Sequence, residues 1–231
     1  MIFTPGIGIS EARGSQGGTT ASRNRFGQYL RQRSKPVNPN SSRQVAVRGQ
    51  FQSLANRWVS TLTQAQRDAW DQYGENVTWQ NALGLAIKLT GYNHYQRSNV
   101  AILQAGGSVV DDGPTTYNLP EADPTFNATI SEATQEISVT FDDSLEWANE
   151  DGGYMLISMS QPKAGSRKYI GGPYRVAGSI AGNGTTPPTS PQTISVPFAV
   201  AEGQMVEVLA RIIRADGRVS TPFRVVAAVG A

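Results

Sequence analysis

Adjacent carboxylates are the residues of this chain whose type could support acid–base chemistry or metal binding. They occur as the pairs Asp111-Asp112, Asp142-Asp143 and Glu150-Asp151, beside glycine or turn-like sequence. Glu146 and Asp151 could act on a glycosidic bond, because glycoside hydrolases use two carboxyl groups with separated pKa values. The surrounding sequence offers nothing that would raise one pKa above the other, and no spacing matches an EF-hand loop. We therefore predict solvated turns, with no catalytic residue and no metal ligand.

Imidazole and thiol chemistry also lack the residues they need. The chain has no cysteine and one histidine, His94, so disulfides, thiolate metal sites and a histidine-based zinc site or serine triad have little support. The glycines between 14 and 18 follow no predicted strand and precede no Gly-Lys-Ser/Thr sequence, so they do not predict a phosphate-binding loop. We expect His94 in a polar or aromatic contact on a helix, and we expect no cofactor.

The basic residues are concentrated in the first half of the chain. Residues 1–110 carry twelve Lys/Arg and four Asp/Glu, whereas residues 111–231 carry eight and fourteen, so the net charge of +2 combines a basic half with an acidic half. Many of the bases lie in a Gly-, Ser- and Asn-rich segment that cannot bury a core, which predicts an arm for an anionic or polar partner. The predicted partner-binding residues are Arg13, Arg23, Arg25, Phe26, Tyr29, Arg31, Arg33 and Lys35.

Three roles for this arm are compatible with its sequence. It could dock on another protein, it could neutralise phosphates while Phe26 and Tyr29 stack on the bases of a single strand, or it could be merely solvated. The acidic second half would repel nucleic acid, which argues against a dedicated DNA-binding protein. We favour docking on a protein.

The elements that would position these residues fall into three segments. Residues 1–40 are predicted to be an extended basic arm, because its glycines and two prolines, Pro36 and Pro39, disfavour regular structure. Residues 41–110 are predicted to be a helical domain. Its first helix should begin after Asn40 or Ser41 and carry one apolar stripe, made of Val47, Phe51, Leu54, Trp58 and Leu62.

Two further helices are indicated in the same segment. Thr63 and Gln66 match a capping box, so the second helix should run to about Tyr73 and end at Gly74. A third should start after Thr90 and stop at the double glycine 106–107. Between these two helices, residues 77–89 are apolar and irregular, which is compatible with a short β segment.

Residues 111–231 change to a hydrophobic period of two. Alternation is clear at 136–141 and 174–180, a buried run lies at 154–159, and Ala215-Asp216-Gly217 predicts a hairpin between two long strands. Several short strands with Gly/Pro-rich turns predict a C-terminal immunoglobulin-like or fibronectin-type β-sandwich. The predicted fold class is therefore α+β, with an arm, a small helical unit and a sandwich.

The sequence contains no apolar run of membrane-spanning length, and its first residues do not read as a signal peptide. We expect a protein made in a cytoplasm that does not contact a membrane. An assembled particle is still a possible destination, because particles built in the cytoplasm need no export signal.

Six runs of the sequence form a recognisable pattern: GISEARGS (8–15), RQRSKPVNPN (31–40), LTQAQRDAW (62–70), LTGYNHY (89–95), WANEDGG (147–153) and RADGR (214–218). Together they resemble a little-characterised family of bacteriophage and prophage-like proteins. The resemblance covers most of the chain. It implies a virion structural component and offers no catalytic residue.

The resemblance and the basic arm together predict a non-enzymatic virion protein assembled in the host cytoplasm. A capsid decoration or cement protein, gripping other virion proteins through residues 2–40, is the favoured role, since a flexible segment can order on a neighbour and bury surface there. The alternative is a neck, tail or fibre-attachment component. An internal DNA-binding protein and a glycan-acting enzyme are the outsiders. We also expect a homo-oligomer.

Overall fold

The computed structural model describes residues 1–4, 11–81 and 83–231. Within them the chain forms three helices and fourteen strands, which makes it an α+β protein, as predicted. The predicted arm is described except for residues 5–10, which lie outside the described residues. The run GISEARGS is likewise described only from Glu11 onward.

The N-terminal segment forms a small antiparallel sheet, in contrast to the expected arm without regular structure. Its strands are β1 (Ile2–Phe3), β2 (Gly14–Gln16), β3 (Thr19–Asn24) and β4 (Gly27–Gln32), in the order β1-β4-β3-β2. The glycines that suggested flexibility make the turns: Gln16 pairs with Thr19 across Gly17 and Gly18, and Gly17 has a φ of 55°. A Gly-Gly pair is a favoured two-residue hairpin turn, because its positive φ matches the twist of the strands.

Three helices follow, and each begins at the residue that the sequence indicated. Helix α1 (Ser42–Ser60) is capped by Ser41, α2 (Gln64–Asn76) begins with the predicted capping box of Thr63 and Gln66, and α3 (Gly91–Ala105) is capped by Thr90. Helix α3 ends at Gly106, as predicted, in the left-handed conformation.

The predicted end of α2 at Gly74 is wrong, because Gly74 lies inside the helix and is buried there. A Cβ built on Gly74 would lie 2.7 Å from the carbonyl oxygen of Leu89 and 3.0 Å from the nitrogen of Gly91. Glycine is present at this position because the chain entering α3 crosses α2 at backbone distance. The segment between these helices contains a two-stranded sheet, β5 (Thr78–Gln80) with β6 (Ala86–Lys88), in agreement with the predicted β segment.

The second half of the chain forms one large sheet of eight strands. Its seven-strand path runs β11-β9-β13-β14-β7-β8-β12, and a two-residue strand, β10, pairs beside it with β13. The strands are β7 (Asn127–Ser131), β8 (Glu136–Thr140), β9 (Tyr154–Ser160), β10 (Lys163–Ala164), β11 (Tyr174–Ala181), β12 (Gln192–Ser195), β13 (Gln204–Ile213) and β14 (Phe223–Gly230).

The large sheet is continuous rather than divided into the two separate layers that a sandwich implies. Strand β14 pairs in parallel with β7 through Val229↔Ile130 and Gly230↔Ser131, and this pair joins the two groups of strands. The sheet curls so far that its edge strands β11 and β12 approach each other, and a Cβ on Gly178 would lie 2.9 Å from Cγ2 of Ile194. The prediction of a β-rich second half is confirmed.

The predicted hairpin at 215–217 is present but shorter than expected. Gly217 N donates to the Arg214 carbonyl, and Ile213 and Val219 form an isolated bridge. Strand β14 begins only at Phe223. Before it, Ser220 is still hydrogen-bonded to Ile212 of β13, and the carbonyls of Val219 and Ser220 accept from Arg97 of α3.

Buried side chains form three clusters that connect the helices to the large sheet. One cluster fills the inside of the curled sheet, with Ile137, Ile157 and Val208 fully buried, and another lies among the helices around Trp70 and Tyr95. The third packs α3 against the outer face of the sheet and contains Ala101, Ile102, Ala105, Leu156, Ile213 and Val219. The helices and the sheet therefore share an apolar interface.

Candidate docking interface

The predicted partner-binding residues all lie in or beside the N-terminal sheet, but their contacts within the chain differ. Arg13 and Arg23 both face Glu11, at 2.9 Å and 4.0 Å between guanidinium nitrogen and Oε1. All three side chains are exposed. Such exposed ion pairs contribute little to stability. These two cations are therefore partly neutralised within the chain.

Arg25 and Phe26 form the tip of the β3–β4 hairpin and attach it to the β5–β6 hairpin. Arg25 Nη1 donates to the Lys88 carbonyl at 3.2 Å, and Asn81 Nδ2 donates to the Phe26 carbonyl at 2.9 Å. An open cleft of about 280 Å³ lies between the two hairpins. Exposed apolar side chains at this junction belong to Phe26, Leu83 and Leu85.

Tyr29, Arg31, Arg33 and Lys35 follow one another at every second position of β4 and its extension. Tyr29 is opposite Ser22 and Arg31 is opposite Thr20, so both side chains lie on the same face of the sheet. Arg33 N donates to the Gly18 carbonyl at 2.7 Å, which continues this register by one residue. We call Arg31, Arg33 and Lys35 the basic row. In the described part of the chain none of the three forms an ion pair.

The N-terminal sheet has almost no core of its own. Among the residues of β1 to β4, Gln28 is the one that is buried, and strand β2 is exposed along its whole length. A small sheet normally needs an apolar face packed on a helix or another sheet to be stable. Within the described residues, this sheet therefore presents the free edges of β1 and β2 and partly exposed faces to its surroundings.

Residues 33–41 connect this sheet to α1 as a strap that is exposed throughout and has no regular structure. Arg48 holds the end of the strap, because its Nη2 and Nη1 donate to the side-chain oxygens of Asn38 at 2.7 Å and Asn40 at 3.0 Å. Within the strap, Val37 is 88% exposed. In this strap the predicted arm does lack regular structure, whereas the residues before it form the sheet.

Helix α1 leaves apolar side chains uncovered, which the predicted single stripe did not anticipate. Leu54 and Leu62 are buried as expected, but Phe51 is exposed, and so are Val45 and Val59. The latter two lie outside the predicted stripe, and nothing in the helical spacing of the stripe indicates them. These side chains of α1 thus add exposed apolar surface to the N-terminal half of the chain, which also contains the strap.

Two of the three acidic pairs, Glu150-Asp151 and Asp111-Asp112, make structural contacts, so the expectation of solvated turns is wrong for these two. Glu146 and Glu150 both accept from Arg214, and Asp151 Oδ1 accepts from Gly184 N at 3.0 Å. Glu146 and Glu150 both bind the guanidinium of Arg214, so these bonds hold the turn that contains the two glutamates against the end of β13. It does not present a free pair of carboxyl groups to a substrate.

Asp111 joins all three helices to the start of the second half. Its carboxylate accepts from Arg57 Nε at 2.7 Å and Nη2 at 2.5 Å and from the Tyr95 hydroxyl at 3.2 Å, while its carbonyl accepts from Trp70 Nε1 at 2.9 Å. The hydrogen bonds from Arg57 hold the pKa of Asp111 below its usual range. Burial and the nearby Asp111 raise the pKa of Tyr95.

His94 is fully buried on α3 against aromatic rings, which confirms the expected aromatic contact. Its ring centroid lies 4.9 Å from that of Tyr73 and 6.1 Å from that of Trp79. Neither ring nitrogen has a hydrogen-bond partner within the described residues. Burial, together with the charge of Arg97, lowers the pKa of His94 to about 4. The imidazole is therefore neutral at pH 7.

No protein-family model, curated protein or solved structure matched the chain in the comparisons. Among the described helices, none is long and apolar enough to cross a membrane. Within the same residues no group of three His, Cys, Asp or Glu side chains is arranged to hold a metal ion.

Proposed function

We propose that this chain is a non-enzymatic virion structural protein, most simply a capsid decoration or cement protein, that docks on neighbouring subunits through its N-terminal sheet and strap. The observation that carries the proposal is the absence of a core under that sheet, whose described strands bury one residue, Gln28. Docking on a partner would cover such a sheet and provide the burial that it lacks. The sequence resemblance to phage and prophage proteins supports the same role.

The chemistry of the partner follows from the basic row and the strap beside it. No carboxylate of the described residues forms an ion pair with Arg31, Arg33 or Lys35. Val37 is exposed next to them. The complementary surface is therefore acidic, with an apolar depression for a single aliphatic side chain. A second copy of the chain is a suitable partner, because residues 111–231 carry an excess of acidic residues. A homo-oligomer is thus part of the proposal.

The proposed architecture of the second half is an immunoglobulin-like or fibronectin-type sandwich whose two layers are joined by β14 and β7. Without the short β10, seven strands remain. In chain order, the first, second and fifth of these strands neighbour one another in the sheet; they are β7, β8 and β12. The third, sixth and seventh also neighbour one another; they are β9, β13 and β14. These six strands are grouped as in immunoglobulin-type domains, whereas the fourth strand, β11, pairs with β9 instead of lying beside β12 in the first group. Inward alternation on both sides, as in Ile137 and Val139 of β8 and in Val206 and Val208 of β13, supports it.

The proposed location is the virion, and the decisive experiment is to find the chain in particles. Particles purified from a lysate of the phage or prophage that encodes the chain are separated into heads and tails. The chain is then counted by quantitative mass spectrometry. Hundreds of copies on heads are expected for a decoration or cement protein. A few to a few dozen copies with tails would instead support a neck, tail or fibre-attachment component. Absence from both fractions would overturn the structural role.

A further inference from the structure

A polar cleft lies where the helices meet the outer face of the large sheet. It has a volume of about 250 Å³ and is bounded by the first turn of α1, the end of α3 and strands β9, β11 and β13. The polar side chains in its lining are Arg43, Gln104, Ser158, Tyr174 and Arg211. We call it the arginine cleft. It is separate from the N-terminal sheet and from the basic row.

Arg211 is a partly buried cation without a counterion in the described part of the chain. Its neighbours Ala210 and Ile212 point into the core, so Arg211 lies on the outer face of β13. Its Nε atom is buried and has no hydrogen-bond partner, and no described ion pair includes Arg211. Burial also lowers the pKa of Arg211. A cation that loses part of its hydration without gaining a partner is unfavourable, so an anion bound at this guanidinium would be stabilising.

The groups around Arg211 increase the positive potential. Arg97 is also partly buried, and the charge of Arg211 contributes, after burial, to lowering the pKa of Arg97 to about 10. Arg43 lies in the first turn of α1, which has no acidic residue, and the dipole of a helix is positive at that end.

None of the described residues that line the arginine cleft has a carboxylate. Glu207, on the same strand β13, accepts from the Tyr174 hydroxyl and from Arg224 Nη1. Both of its carboxylate oxygens are therefore already hydrogen-bonded. The hydroxyl of Ser158 and the amide of Gln104 are further donors in the lining.

We propose that the arginine cleft binds an oxyanion, a carboxylate or a phosphate group, between Arg211 and Arg43. A guanidinium donates two parallel hydrogen bonds to either group, which makes arginine the preferred residue for such anions. The volume is just below the roughly 300–1,000 Å³ of sites for drug-sized ligands, which favours a small ion or a single side chain. The inference does not depend on the proposed function.

The test measures binding of two small anions to the full chain by isothermal titration calorimetry at pH 7. Sodium phosphate and sodium acetate are titrated separately, with sodium chloride holding the ionic strength constant. Arg211→Gln and Arg43→Gln should each weaken binding roughly tenfold or more, because each removes charge-assisted hydrogen bonds. Arg167→Gln, at an exposed arginine outside the cleft, is the matched control and should bind like the parent protein.

Binding of phosphate, of acetate or of both that depends on Arg211 and Arg43 supports the site and identifies the preferred anion. Binding of neither anion, or equal binding by parent and variants, overturns it. Thermal unfolding in chloride checks the fold, and Arg211→Gln should be at least as stable as the parent there. Arg43 lies on an exposed helix turn, so Arg43→Gln tests the site even if Arg211→Gln does not fold.

Discussion

The guanidinium of Arg97 stacks on the indole of Trp79, with 4.2 Å between Arg97 Cζ and the ring centroid. The same guanidinium donates from Nη1 to the Val219 carbonyl at 2.8 Å and from Nη2 to the Ser220 carbonyl at 2.6 Å. One side chain of α3 therefore contacts the β5–β6 hairpin and the connection between β13 and β14. Arg97 fixes the helices on the large sheet with directional bonds, in addition to the apolar contacts around Ile102.

Arg97→Met should destabilise the fold by about 2–3 kcal/mol, because two partly buried carbonyls lose charge-assisted donors while part of the cost of burying the cation is relieved. Urea unfolding at pH 7 measures the change. Arg175→Met is the matched control, since Arg175 stacks on Phe198 at 4.4 Å but donates one hydrogen bond, at an exposed position. It should cost less than about 1 kcal/mol. Equal losses in the two variants would contradict the special role of Arg97.

Asp111→Asn should destabilise the fold by about 1–2 kcal/mol at pH 7, because the two-point pair with Arg57 loses its charge. The expected loss of stability is this small because Arg57 is partly exposed, and solvent weakens an ion pair at the surface. Since the folded pKa of Asp111 lies below the unfolded value, this stability is present above about pH 4 and is lost as the pH falls through the folded pKa.

The parent protein and Asp111→Asn should therefore converge in stability at low pH when unfolding is followed as a function of pH. Asp143→Asn, at an exposed carboxylate, should stay within about 0.5 kcal/mol of the parent throughout. A gap between the parent and Asp111→Asn that persists unchanged at pH 2 would rule out the ion pair as its source.

His94 should make the fold sensitive to mild acid. Its folded pKa of about 4 lies below the unfolded value of about 6.5, so folding favours the neutral imidazole. That stability is complete above pH 6.5, falls as the pH drops from there, and levels off below pH 4. The loss is on the order of 3 kcal/mol. The charged or titratable side chains around the imidazole are Tyr73 and Arg97.

The difference between the parent and His94→Phe isolates this contribution, because phenylalanine keeps the contacts with Tyr73 and Trp79 and cannot be protonated. Denaturant unfolding between pH 7.5 and 4 should show a smaller acid loss in His94→Phe. Parallel curves for the two proteins would mean that folding does not shift the pKa of His94.

Gly74→Ala should destabilise the fold by about 1–2 kcal/mol, although alanine is the better helix former. The new Cβ would lie 2.7 Å from the Leu89 carbonyl oxygen, which forces α2 away from the start of α3. Gly49→Ala is the matched control, because Gly49 lies in the exposed part of α1 and its Cβ would meet nothing within 4 Å. That variant should gain about 0.5–1 kcal/mol. Differential scanning calorimetry should show shifts of opposite sign.

The basic row should govern docking. Arg31→Glu combined with Lys35→Glu should abolish co-sedimentation of the full chain with particles that lack it, because repulsion replaces attraction at an acidic partner surface. The control combines Arg167→Glu with Lys168→Glu, which makes the same change of charge at an exposed loop of the other half. Docking should also weaken with added salt. Equal loss in both variants would point to net charge instead of the basic row.

The helix starts and several strands could be predicted from the sequence because their signals are local. Ser41, Thr63 and Thr90 cap helices through contacts within three residues, and β8 alternates over a few positions. The N-terminal sheet was missed because the glycines at 17 and 18 were read as flexibility, although a Gly-Gly pair between two polar strands is itself a hairpin signal. The strands β2 and β3 of this sheet are polar, so they lack the alternation of apolar and polar residues that usually indicates a strand.

The sites that depend on distant contacts could not be predicted. Gly74 looks like a helix end until the chain near Leu89 is seen to cross it, and Asp111 looks like a solvated turn until Arg57 and Tyr95 are seen beside it. The arginine cleft unites Arg43 with Arg211, which are far apart in the chain. No local spacing contains that information.

The parallel pairing of β14 with β7 also has a mechanical consequence. A pull that acts outward on β7 from the helices and outward on β14 beyond Gly230 would slide the two strands past each other. The hydrogen bonds of this pair would then be loaded together rather than broken one after another. Such a pull would arise if the N-terminal sheet were anchored on a particle and the other end of the chain were loaded. The β14–β7 pair, which joins the two groups of strands in the large sheet, would then carry the force.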